Sequence, residues 1–162
     1  MKIAIPKESA DGEFRVAASP ETVKKLTREG ISVVIQTGAG AASDISDDQF
    51  LTAGAELAAD FDAAVKKADI IMKIQPPSDQ EIKSLPKGAC LVCLMNARTD
   101  TETLNAVAKA GLTCFAMELL PRISRAQNMD VLSSQSNLAG YKAVIDAVDV
   151  YKRAVPMMMT GA

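Results

Sequence analysis

Short apolar blocks alternate with amphipathic stretches along most of the chain. Lys2–Ile5 is the first block and predicts a strand. Ser19-Pro20-Glu21 then opens a helix. It supplies a capping hydroxyl, a first-turn proline and an acid near the positive end of the dipole. Val23 and Leu26 give that helix an apolar stripe, and Gly30 stops it. Ile31–Gln36, rich in β-branched residues, predicts the second strand. Short helices are predicted over Ser46–Ala53 and, after an Asp60 cap, over Phe61–Ala68. Asp69–Ile74 reads as a strand closed by Pro76-Pro77. Asp79–Ser84 reads as a helical turn or two, and Ala89–Met95 as the most apolar strand. Thr101–Ala110 predicts a helix ended by Gly111, and Leu112–Met117 a last strand.

A β-α unit repeated about five times, with nearly continuous apolar central strands, predicts an α/β fold. The expected architecture is a flavodoxin-like doubly wound parallel sheet. Helices cover both faces through right-handed crossovers. The pattern then changes. Leu119–Ser136 is polar and has no period. One long helix is predicted over about Asn137–Ala154, where Leu138, Tyr141, Ile145 and Val148 recur at three- and four-residue steps. The expected domain division is 1–136 for the α/β unit, polar loop 119–136 included. Residues 137–162 are assigned to the long helix and the start of a connection to a further domain.

Composition narrows the chemistry. The chain has 162 residues, 48% of them apolar, an ordinary globular fraction. A chain of this length buries about 70% of its unfolded surface and needs no staples. A net charge of −2 gives no pull towards nucleic acid. The absence of histidine excludes Ser-His-Asp and Cys-His catalysis and imidazole metal ligands, and no metal site is expected. The longest apolar run, seven residues over Ala89–Met95, is far shorter than the roughly 20 of a membrane helix. Met1–Ser9 is too short in its apolar part for a signal peptide. Cys90, Cys93 and Cys114 are expected as reduced thiols. Cys90 and Cys93 have C-x-x-C spacing, but on a strand they face opposite sides and read as small buried residues.

Four segments carry candidate chemistry. Gly38-Ala39-Gly40-Ala41-Ala42-Ser43 comes close to a phosphate-binding G-x-G-x-x-G/A turn. Ser43 in the sixth position and the acids Asp44, Asp47 and Asp48 favour a tight loop instead. Lys7-Glu8 and Arg15 lie beyond the first strand, at the edge where open α/β sheets bind ligands. There Arg15 either clamps a carboxylate or forms a surface ion pair with Glu8. Lys73, inside an apolar strand, either reaches a cleft or marks a sheet edge. The fourth segment, 121–136, is a long polar loop holding Arg122, Gln127, Asp130 and Ser133. Gln127 offers one donor and one acceptor, the complement of another carboxamide.

Several segments together resemble one family: KIAIPKES…FRVAASPETVKKL, QTGAGAAS, ADIIMKIQPP, and above all MELLPRISRAQNMDVLSSQSNLAGYKAVIDA with PMMMT. The chain resembles the N-terminal part of the α subunit of proton-translocating nicotinamide nucleotide transhydrogenase, which is related to alanine dehydrogenase. The resemblance implies that Arg122, Gln127, Asp130 and Ser133 contact NAD(H). It further implies hydride transfer from NADH to NADP⁺, held on a partner β subunit or NADP-binding domain, coupled to proton movement through membrane helices. A homodimer is implied, as is a place on the cytoplasmic side, peripheral to the inner membrane through partner subunits. In the family a dinucleotide-binding domain follows PMMMT. The chain is therefore expected to be the first half of a longer subunit that binds NADH weakly or not at all by itself. Relatives that act on pyruvate use an arginine and a lysine, matching Arg15 and Lys73, together with a histidine that this chain lacks. A vestigial substrate site is expected there. The alternatives are an alanine-dehydrogenase-like substrate domain and a non-catalytic flavodoxin-like module.

Overall fold

A computed structural model describes residues 1–154. The strands are β1 (Lys2–Ile5), β2 (Ser32–Gln36), β3 (Glu56–Ala58), β4 (Ile70–Met72), β5 (Cys90–Cys93) and β6 (Thr113–Ala116). The helices are α1 (Pro20–Arg28), α2 (Asp47–Thr52), α3 (Phe61–Val65), α4 (Asp79–Ser84), α5 (Thr101–Lys109) and α6 (Val131–Val150). All six strands form one parallel sheet in the order β3-β2-β1-β4-β5-β6. The five strands expected from the sequence are β1, β2, β4, β5 and β6, and they lie in flavodoxin-like order. β3 is an addition outside β2. Its three residues, Glu-Leu-Ala, contain one buried side chain and are too few to show an alternating pattern.

Neighbouring residues of β1 point to opposite cores, as a period of two requires. Ile3 and Ile5 join Val33 and Ile35 of β2, Val23 of α1 and Phe50 of α2 on one face. Ala4 joins Ile71, Leu91 and Cys93 with Val65, Ile82 and Val107 of α3, α4 and α5 on the other. The central strands are apolar because helices cover both faces. Phe50 is fully buried, and its truncation to alanine would cost about 3–5 kcal/mol.

The chain falls into two compact units, Met1–Leu119 and Leu120–Ala162. In the second, α6 begins at Val131, so the polar stretch expected as loop up to Ser136 is helical from Val131 onward. The cause is Asp130. Its carboxylate accepts from the Ser133 backbone N–H at 2.9 Å and caps the helix. The helix ends at Val150 rather than near Ala154, and Tyr151 is extended. Leu138, Tyr141, Ile145 and Val148 recur on it as expected, and all are exposed. The expected connection through PMMMT lies outside the described residues. Among the described residues no helix is long and apolar enough to cross a membrane.

Candidate functional site

The sheet order reverses between β1 and β4, and ligands of open α/β sheets bind beyond the strand ends at such a point. Lys73 lies there, directly after β4. Its backbone N–H donates to the Val92 carbonyl at 3.0 Å, and its side chain is fully buried. Since β4 lies between β1 and β5, the sheet-edge reading of Lys73 is overturned. The ammonium is 3.0 Å from Glu81 Oε1 and 3.4 Å from Glu8 Oε2. Glu8 also accepts from the N–H groups of Ile74 at 2.6 Å and Gln75 at 3.3 Å. Glu81 closes a capping box with Ser78 at the start of α4 and accepts from Ser9 Oγ at 3.1 Å. Burial pushes the Glu81 carboxyl up. The Ser78 N–H and Lys73 outweigh it and hold the acid below its usual range. The lysine is tolerated in the interior because two hydrogen-bonded carboxylates compensate it.

Arg15 reaches the same network by another route. Its Nε donates to Glu13 Oε1 at 2.7 Å and its Nη2 to Glu13 Oε2 at 2.6 Å, a two-pronged clamp. Arg15 thus forms its close ion pair with Glu13 at 2.6 Å, while the Glu8 carboxylate lies 3.4 Å from Lys73 and also favours the charge of Arg15. Glu13 also accepts from Gln75 Nε2 at 2.7 Å. The Arg15 guanidinium, opposed by burial and helped by Gln75, lowers the Glu13 pKa to about 2. Arg15 and Lys73 are thus joined through Glu13, Gln75 and Glu8. Beside them a cavity of about 510 Å³ is lined by Lys7, Glu8, Gln36, Asp60, Phe61 and Glu81, among others.

The glycine-rich turn is a tight loop. Gly38 donates its N–H to the Asp47 carboxylate at 2.9 Å, so an acid occupies the amide that a phosphate would need. A Cβ on Gly40 would lie 2.8 Å from the Ile45 carbonyl oxygen and from Phe50, so packing explains that glycine. Cys93 is buried and Cys90 half-buried on alternate faces of β5, and none of the three cysteines is bridged.

In the second unit, Arg122, Gln127, Asp130 and Ser133 line one concavity of about 400 Å³ with Ala126 and Ser134. A 3-10 turn, Ser124–Met129, presents Gln127 to solvent while anchoring on buried Ala126. Asp130 accepts from the Ser133 hydroxyl at 2.6 Å. That hydroxyl, then the Ser133 N–H and, to a lesser degree, the charge of Arg122 hold the Asp130 carboxyl below its usual range, against an opposing effect of burial that exceeds that of Arg122. The concavity therefore offers a cation, an anion, a carboxamide and a hydroxyl from one short stretch of chain.

Three acids escaped the sequence reading: Glu13, Glu81 and Glu118. Ser78-x-x-Glu81 is a capping-box pattern and was legible in principle. Glu13 had no periodic signal. Glu118 precedes the polar loop and accepts from the N–H groups of Met95 at 3.0 Å and Ala97 at 2.8 Å.

Residues 4–139 match the family described as "Alanine dehydrogenase/PNT, N-terminal domain". The chain is 50% identical, over 167 aligned positions, to the first part of the NAD(P) transhydrogenase alpha subunit of Rhodospirillum rubrum, covering 100% of this chain and 44% of that one. A crystal structure of transhydrogenase from Sinorhizobium meliloti superimposes with a TM-score of 0.91 at 51% identity, covering 99% of this chain and 48% of that one. A structure of L-alanine dehydrogenase superimposes with a TM-score of 0.70 at 30% identity, covering 73% of this chain and 32% of that one. The chain spans less than half the length of these relatives.

Proposed function

The chain belongs to the alanine dehydrogenase/PNT N-terminal domain family, and on that premise we propose that it is the N-terminal part of the NAD(H)-binding component of a transhydrogenase. Its role is to position NADH for hydride transfer to NADP⁺ held on a partner domain. The supporting observation is the convergence of Arg122, Gln127, Asp130 and Ser133 on one concavity. Gln127 supplies the donor and acceptor that a nicotinamide carboxamide requires. Asp130, kept ionised by Ser133 and Arg122, favours the positive charge of the oxidised ring. Bound NADH supplies the hydride itself, and the chain's residues orient the ring that carries it.

In this reading residues 137–162 lead into a dinucleotide-binding domain. The component dimerises and meets the NADP-binding and membrane parts of the enzyme on the cytoplasmic side of the inner membrane. Arg15 and Lys73 serve as structural cations. A keto acid would have to displace Glu13, Glu8 or Glu81 from them, which disfavours an alanine-dehydrogenase-like substrate site.

The test is Gln127→Asn in the assembled enzyme. Shortening the side chain displaces the carboxamide, so kcat for hydride transfer should fall by about tenfold or more while the Kd for NADH changes less. Unchanged turnover would remove the nicotinamide-positioning role.

A further inference from the structure

The cysteines take no part in the function proposed above, yet two of them form a pair inside the first compact unit. β6 lies beside β5 in parallel register, with Leu91 opposite Cys114 and Cys93 opposite Ala116. Residues opposite each other on neighbouring strands share a face, and so do residues two apart along one strand. Cys93 and Cys114 therefore face the same way, one diagonal step apart. Cys93 belongs to the apolar cluster that includes Val107 of α5, and Cys114 packs against that cluster. A hydrogen bond joins their side chains. Cys90 points to the other face of β5.

The two sulfurs differ in their surroundings. Cys93, on an interior strand, is 1% exposed. Cys114 is half-buried on the edge strand, which β5 pairs along one side. Desolvation penalises a thiolate, so of two thiols in contact the charge goes to the one nearer water. The buried one keeps its proton and donates it. The electrostatics agree. The bond with Cys114, then burial, then the charges of Cys114 and Glu118 hold the Cys93 thiol protonated, against Lys73. The same bond lowers the Cys114 thiol, outweighing burial and the charge of Glu118. Cys90 is also half-buried, but burial first and then Cys114 push its thiol up.

We propose that Cys114 is a site of reversible oxidation by small peroxides and that Cys93 activates it. The nucleophile is the thiolate, and a neighbouring S–H donor raises its share. The Cys114 sulfur attacks one peroxide oxygen. An S–O bond forms and the O–O bond breaks. The sulfur is oxidised to a sulfenic acid, and the second oxygen leaves as hydroxide and takes a proton to become water. A small-molecule thiol restores the site. It condenses with the sulfenic acid, losing water, and a second thiol then displaces Cys114 from the mixed disulfide. Cys93 does not close an internal bridge. Neighbouring strands lie about 4.8 Å apart and two residues advance about 6.6 Å, so the two Cα atoms are about 8 Å apart, beyond the roughly 7 Å that a disulfide spans.

The experiment treats the 162-residue chain with hydrogen peroxide in the presence of dimedone, which traps sulfenic acids, and follows each cysteine by mass spectrometry. Cys90 and Cys114 are both half-buried, so comparing them separates activation from exposure. The expected result is Cys114 labelled about tenfold faster than Cys90, with Cys93 unlabelled and no bridge between Cys93 and Cys114. In urea all three should react at similar rates. Cys93→Ala removes the donor and should slow labelling of Cys114 by about tenfold. Cys93→Ser keeps a donor and should restore most of that rate. Equal labelling of Cys90 and Cys114 in the folded wild type would overturn the proposal, and so would an internal bridge. Both outcomes are read without a variant, so the test stands if Cys93→Ala does not fold. A folded Cys93→Ala chain labelled at the wild-type rate would overturn the activating role of Cys93.

Discussion

Glu13 takes both prongs of Arg15 and the side-chain amide of Gln75, and this makes it a strong source of acid sensitivity. Its pKa is about 2 in the folded chain, against an ordinary value of 4.5. A carboxyl with a depressed folded pKa adds stability above its unfolded value and loses that contribution as pH falls through the folded value. The window is therefore about pH 4.5 down to about 2. Urea unfolding at a series of pH values should show wild type losing stability more steeply than Glu13→Gln across that window. Parallel curves would mean that the clamp contributes nothing to folding. At this scale the sequence was informative about the cations and uninformative about their partners. A lone lysine in an apolar strand and an arginine beyond a strand end announce themselves by cost. The acid that meets each is chosen by the fold. Glu8 reaches Lys73 only because β1 and β4 are neighbours in the sheet.

Among the elements, α6 begins at a residue that caps it and, on the proposed function, also serves the chemistry. Asp130 ends the polar loop, caps the helix through Ser133 and lines the concavity with Gln127. Its two duties are separable. Asn caps about as well as Asp, whereas Ala removes the acceptor and costs about 1 kcal/mol. Asp130→Asn should therefore keep the exchange protection of the first turn of α6 and lower hydride transfer. Asp130→Ala should lose both. Equal hydride-transfer rates in wild type and Asp130→Asn would leave Asp130 as a cap only. The start of α6 was hidden from the sequence because serines at 133, 134 and 136 suggest a loop, while a single cap turns them into a first turn. The long elements with both caps and apolar period, such as α1 and α5, were legible. The short strand β3 was not, because pairing with β2 rather than its own pattern makes it a strand.

On the function proposed above, the described residues offer the polar half of a nucleotide site and no phosphate cradle. NADH carries a pyrophosphate, and its tight binding in α/β proteins uses backbone amides of a glycine-rich turn at the head of a helix. The glycine-rich turn at 38–43 has its Gly38 amide occupied by Asp47, and Asp44 and Asp48 surround it with like charge for a phosphate. On the proposed function the concavity at Gln127 takes the nicotinamide end alone. A contact at one end of a flexible dinucleotide leaves most of the ordering cost uncompensated. The 162-residue chain should therefore bind NADH with a Kd of about 1 mM or weaker, an energy of only about −4 kcal/mol. A titration followed by NADH fluorescence or calorimetry checks this directly. Micromolar binding would mean that a phosphate site exists in this chain. Then the cavity beside Lys7 and Gln36, at the sheet's reversal point, would be the first place to locate it by substitution. Millimolar binding lost in Gln127→Ala would instead assign the residual affinity to the nicotinamide end, as the proposed function requires.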